Sequence, residues 1–171
     1  MVSYGLAYGM EAYGLSQRLG IGVDEAAEIL DAYFAAFPNV KQYMDDAVEA
    51  AKKRGFTVTL FGRRRFIPEL NNPNFRIRQI GERQAMNAAI QGLAADIFKI
   101  ALVSIDERLR QSGCSARIVL QVHDEVIVEA KKSDVAAVED IVLASMREAA
   151  SLRVPLEINS AWGDSWASAK S

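Results

Sequence analysis

The stretch Leu120-Gln121-Val122-His123-Asp124-Glu125-Val126-Ile127-Val128 decides the fold. Apolar residues on both sides of a polar centre predict two buried β-strands joined by a tight turn. A hydrophobic core would not select the His and the two carboxylates at the centre. A turn beside a sheet can hold acidic groups at a fixed point while leaving them hydrated, and Asp124 and Glu125 are oxygen ligands of the kind that Mg²⁺ prefers. The same residues would also serve as a plain polar hairpin tip, and this stretch alone does not choose between the two.

Working outward, Ala116 to Leu120 and Glu125 to Glu129 are the expected strands, with a long helix before them and another after. From Phe75 to about Arg110 the apolar spacing is helical, with a break expected near Gln91-Gly92. Ser133-Asp134 is expected to cap the following helix, whose inner side carries Val135, Val138, Ile141, Val142, Ala144 and Ser145. Val154 to Asn159 is expected as a last strand, with Pro155 at its entry. The aromatics of Trp162-Gly163-Asp164-Ser165-Trp166 are expected to pack on the body.

On the long helix, Arg83, Asn87 and Gln91 follow one another at steps of four, so one face carries a guanidinium and two carboxamides. Carboxamides both donate and accept, which suits the nearly sequence-independent acceptor pattern of a duplex minor groove. An exposed polar stripe is the ordinary alternative, although solvent-facing helices more often use Glu and Lys.

The first half of the chain is mainly helical. Tyr4 and Tyr8 stand four apart among glycines and would share a helical face, where two rings can stack on a base or simply pack. Asp24 opens a helix with apolar residues Ala26, Ala27, Leu30, Tyr33, Phe34 and Phe37, and Pro38 starts the next, which ends at Gly55 after Lys52, Lys53 and Arg54. Phe56 to Leu60 and Phe66-Ile67 read as short strands around a turn whose Arg63, Arg64 and Arg65 form a basic cluster. Asn71-Asn72-Pro73-Asn74 is a loop and the expected boundary between two subdomains.

The bulk properties exclude little. The 171 residues are half hydrophobic with a formal net charge of −2, so contact with nucleic acid must come from local basic patches. The single Cys114 excludes an internal disulfide and a cysteine-rich metal site, and agrees with a reducing cytoplasm. No apolar run reaches membrane-spanning length, so no membrane partner is expected.

At this point a resemblance emerges. Ser3-Tyr4-Gly5-Leu6-Ala7-Tyr8-Gly9 resembles the end of the fingers-helix motif Asn-Phe-Gly-x-x-Tyr-Gly of A-family DNA polymerases of the bacterial DNA polymerase I type. Glu82-Arg83 through Asn87 to Gln91-Gly92-Leu93-Ala94-Ala95-Asp96 resembles the helix before the palm hairpin, and Gln121-Val122-His123-Asp124-Glu125 resembles the palm motif with its catalytic aspartate. Leu60-Phe61-Gly62-Arg63-Arg64 and the Trp162 to Trp166 tail also fit, so the resemblance covers essentially the whole chain.

The resemblance implies an α+β fold: a helical, partial fingers subdomain over residues 1–74, then an incomplete palm over 75–171 with an antiparallel sheet packed on long helices. It implies template-directed DNA synthesis with primer-template DNA and a deoxynucleoside triphosphate as partners and two Mg²⁺ ions as cofactors. Asp124 would bind metal, Glu125 would support it, and His123 would sit near the primer terminus. Arg83, Asn87 and Gln91 would touch the minor groove. Tyr8 would stack near the nascent pair, and Tyr4 would lie near the incoming sugar.

Tyr4 stands where many members have Phe, which implies weak discrimination against dideoxynucleotides in an intact enzyme. Leu93 replaces a small hydroxyl residue. The family's triphosphate-binding Arg and Lys, its second palm aspartate and its thumb have no counterpart in this chain. The isolated polypeptide is therefore expected not to polymerise DNA, and its uncovered sheet edge predicts self-association. Two other readings remain open: a stand-alone duplex DNA-binding module without chemistry, and a metal-dependent hydrolase centred on His123, Asp124 and Glu125.

Overall fold

The computed structural model describes residues 5–6 and 9–170. Tyr4 and Tyr8 lie outside the described residues. The chain divides into two compact units, residues 1–93 and 94–171.

In the first unit, α1 (Ala12–Leu19), α2 (Val23–Ala36) and α3 (Pro38–Arg54) follow one another. Their ends follow local chemistry. Asp24 and Glu25 sit in the first turn of α2, Pro38 opens α3, and α3 stops at Gly55, whose φ of 77° needs no side chain. Leu6, Leu15 and Ala26 bury against Met10, Leu30 and Tyr33. A second core joins Val48 and Ala51 of α3 to Ile67, Leu70 and Ala85.

After α3 comes a small antiparallel hairpin, β1 (Phe56–Val58) with β2 (Arg64–Phe66), in the register Phe56↔Phe66, Thr57↔Arg65 and Val58↔Arg64. Both strands are shorter than the apolar run suggests. Thr59 to Arg63 is instead a turn, closed by the Thr59 amide donating to the Arg63 carbonyl at 3.0 Å.

The long helix α4 (Phe75–Ser112) begins in the first unit and continues into the second without interruption. The break expected at Gln91-Gly92 is absent. Gly92 is used for close approach, not for ending the helix: a Cβ there would lie 2.6 Å from Thr59 Cγ2 of the hairpin turn. α4 also corrects the expectation about apolar runs, because by length and composition alone it could cross a membrane, with a window of mean hydropathy 1.6. Only part of its apolar surface has protein partners: Ala85 packs in one core and Ile105 and Leu109 in another, while Ile90, Ile100 and Val103 are exposed.

In the second unit, α4 ends before Gly113 (φ 74°), and β3 (Ala116–Val122) pairs antiparallel with β4 (Glu125–Ala130). Ala116, Ile118, Val126, Val128 and Ala130 pack on Ile105, Leu109 and Val138. The register shifts between Ile118 and Leu120, a bulge that exchanges the faces of the residues beyond it. Leu120 is consequently 45% exposed, so the strands are covered on one face only and not buried as the apolar run predicts. Among the described residues this sheet has two strands.

A 3-10 turn (Lys132–Asp134) leads into α5 (Val135–Arg147). Asp134 occupies the N-cap position but makes no side-chain cap bond. Its carboxylate accepts instead from the Ser115 amide at 3.0 Å and the Ser133 hydroxyl at 2.7 Å. The expected last strand at 154–159 does not form. Pro155 offers no amide donor, and β3 and β4 pair only with each other. The tail ends in the short helix α6 (Trp166–Ala169), and Trp162 is 70% exposed, contrary to the expected packing.

Candidate functional site

The first unit carries the polar helix face. Arg83, Asn87 and Gln91 line one shallow groove of about 250 Å³ together with Arg65, Ile80 and Gln84. The spacing of four therefore brings the guanidinium and both carboxamides to one surface, as the helical period requires. The neighbouring Glu82 is engaged elsewhere, in an ion pair with Lys52 at 2.7 Å, which leaves the two arginines as the charges that line the groove.

The basic cluster separates into three tasks. Arg63 Nη2 donates to the Gly92 carbonyl at 2.7 Å, tying the hairpin turn to α4. The Arg64 guanidinium lies 5.0 Å over the Phe56 ring. Arg65 alone of the three reaches the groove. The strand period accounts for part of the division: Arg64 and Arg65 are strand neighbours and point to opposite faces, while Arg63 belongs to the turn.

The second unit carries the acidic turn. Val122 pairs with Glu125, which leaves His123 and Asp124 as a two-residue loop. His123 has φ 54°, a left-handed conformation at the first central position, where such loops favour glycine. Gln121 Nε2 donates to the His123 carbonyl at 2.7 Å and helps hold the turn. His123, Asp124 and Glu125 are not buried. Asp124 makes no hydrogen bond or ion pair among the described residues, whereas Glu125 Oε2 lies 3.0 Å from Lys170 Nζ. Sequence reasoning misses Lys170, because nothing local links a C-terminal lysine to a turn so far upstream.

No group of three or more His, Cys, Asp or Glu residues suited to a metal ion occurs among the described residues. The turn presents Asp124 as one exposed carboxylate and, among the described residues, completes no metal site. Such an arrangement can contribute to cation binding only in company with ligands from elsewhere.

The family model for DNA polymerase family A matches residues 1–168. The chain belongs to DNA polymerase family A. Among similar members of this polymerase family, DNA polymerase I of Geobacillus stearothermophilus is 47% identical over 169 residues, covering 99% of this chain and 19% of that protein. DNA polymerase I of Mycobacterium tuberculosis is 48% identical over 165 residues, covering 96% and 18%. A solved structure, the POL domain of Pol1 from M. smegmatis in complex with DNA primer-template and dNTP, matches with a TM-score of 0.95 and 44% identity, over 99% of this chain and 30% of that one. The chain thus spans about a fifth of the length of the curated relatives. The family match runs through both features built above, the polar face of α4 and the acidic turn.

Proposed function

We propose that this chain is the C-terminal fingers-and-palm portion of a DNA-directed DNA polymerase acting in replication and repair. The fingers part would occupy residues 1–74 and the palm part 75–171. In the reaction, a primer 3′ hydroxyl attacks the α-phosphate of a deoxynucleoside triphosphate, and pyrophosphate leaves. Primer-template DNA and dNTP are the partners, as they are in the M. smegmatis complex.

Arg83, Asn87 and Gln91 bind the minor groove of the primer-template duplex, with Arg65 adding charge at the same surface. Asn and Gln offer donors to the acceptors that all base pairs share there, so the grip is independent of sequence. His123 approaches the primer terminus, and Asp124 is the metal-binding carboxylate, with Glu125 in support. Tyr4 and Tyr8 contact the incoming nucleotide and the nascent pair. Mg²⁺ is the proposed ion, and two such ions, when bound, stabilise the attacking and leaving oxygens. Asp124 is the ligand that this chain supplies.

One observation carries the proposal: the family match spans both the acidic turn and the polar helix face, and a duplex-binding module without chemistry would not require the turn. With one free carboxylate at the turn, the isolated chain does not polymerise, and the sheet, two-stranded among the described residues, favours self-association through its edges. It works in the cytoplasm. The test is primer extension by the purified chain with Mg²⁺, alongside fluorescence anisotropy on a labelled primer-template duplex. Salt-dependent binding without extension supports the proposal. Extension by the isolated chain, or no duplex affinity at low salt, refutes it.

A further inference from the structure

The C-terminal tail returns to the acidic turn by a defined route. The Ser160 hydroxyl donates to the Glu139 carboxylate on α5. Asp164 pairs with Lys132 at 2.6 Å, just after β4. Ser165 and Ser168 then cap α6 reciprocally, each side chain bonding the other's amide, at 3.2 Å and 3.0 Å. Gly163 permits this compact fold, since a Cβ there would stand 2.6 Å from Ser168 Oγ. Beyond α6, Lys170 stretches across the Trp166 ring, with Nζ 4.7 Å from its centroid, and reaches Glu125 at 3.0 Å. The tryptophan face restricts where the ammonium can sit, so the pair is held from both sides.

We infer that the tail is a strap on the acidic turn, and that Lys170 is a positioning residue which occupies Glu125 and leaves Asp124 as the carboxylate available to a cation. Two adjacent free carboxylates repel each other. A lysine on one of them makes the two acids of the turn unequal. His123 adds the need for restraint, because its left-handed backbone is maintained only while the surrounding bonds hold it. The inference rests on the proposed metal role of Asp124, but the strap itself can be tested apart from that role.

The experiment is NMR on the whole 171-residue chain and on its Lys170→Ala, Lys170→Arg and Asp164→Ala variants. Lys170→Ala should speed amide exchange at residues 122–125 about threefold, the scale of an exposed ion pair. It should also move the Glu125 side-chain carboxyl resonance while leaving that of Asp124 in place. Lys170→Arg should restore both, and Asp164→Ala should speed exchange while leaving the Lys170–Glu125 pair partly made. A general loosening of the tail would shift both carboxyl resonances together, and that result overturns the positioning role. Unchanged exchange and an unchanged Glu125 resonance in Lys170→Ala overturn the strap. Primer extension by a family polymerase carrying this segment provides the separate arm: unaltered extension with Asp124→Asn refutes the metal role of Asp124 and leaves the strap standing or falling on the exchange data alone.

Discussion

Replacing Gly92 by alanine tests how the hairpin is held on the polar helix. In an open helix, Gly→Ala stabilises by about 1 kcal/mol because alanine loses less backbone freedom. Here the new Cβ would stand 2.6 Å from Thr59 Cγ2 and 3.2 Å from Arg63 Nη2. Thr59 cannot swing away cheaply: it is buried, its amide donates to the Arg63 carbonyl, and its Oγ1 accepts from the Arg63 amide at 3.2 Å. Forcing a methyl group into such packing costs about 1–3 kcal/mol. The two effects oppose, and the clash wins by about 1 kcal/mol, roughly a fivefold shift toward the unfolded state.

The chain's urea unfolding curve measures that difference. Thr59→Ser removes the obstructing methyl and keeps the hydroxyl, so Gly92→Ala in the Thr59→Ser background should recover most of the loss. Displacing the turn would also pull Arg65 from the groove it shares with Arg83, Asn87 and Gln91, so Gly92→Ala should weaken duplex binding as well. Stabilisation by Gly92→Ala in the unaltered background would refute the close-packing argument, since it would show that α4 treats position 92 as open helix.

Other outcomes follow from the same geometry. Asn87→Ala and Gln91→Ala should each weaken primer-template affinity by about 1 kcal/mol while leaving its salt slope unchanged, whereas Arg83→Ala should reduce the slope; anisotropy titrations at several salt concentrations separate the two. His123→Gly should relieve the left-handed strain at φ 54° and raise stability by about 0.5 kcal/mol in urea unfolding, and a loss above about 1 kcal/mol would show that the imidazole packs productively. The Ser133 hydroxyl, then the Ser115 amide, hold the Asp134 carboxyl below the usual aspartate range. That stabilisation is present above the unfolded-state pKa and disappears as pH falls through the lower folded-state value, so Asp134→Asn should flatten the acid limb of the stability curve, and an unaltered limb would contradict it.

Local chemistry made much of the molecule readable. Pro38 and Gly55 marked helix ends because each acts through its own backbone, and the four-residue spacing of Arg83, Asn87 and Gln91 sufficed to place them on one surface. What escaped depended on distant partners. Gly92 looked like a helix break, but its cause is Thr59, far upstream. Asp134 looked like a cap, but its carboxylate is taken by Ser115. Residues 154–159 had strand composition without a strand to pair with. At the turn, the acids were evident, but their inequality was not, because it comes from Lys170 at the far end of the chain.

The proposed role of this polypeptide is to supply one carboxylate locus and one duplex-gripping helix to a larger polymerase. Its most direct test is a chimera in which residues 1–168 replace the matching segment of Bacillus subtilis DNA polymerase I, which is 47% identical over 169 residues. Primer extension by the chimera, abolished by Asp124→Asn and retained with Glu125→Gln at reduced rate, is the predicted result. A folded chimera that extends primers equally well with Asp124→Asn would contradict it.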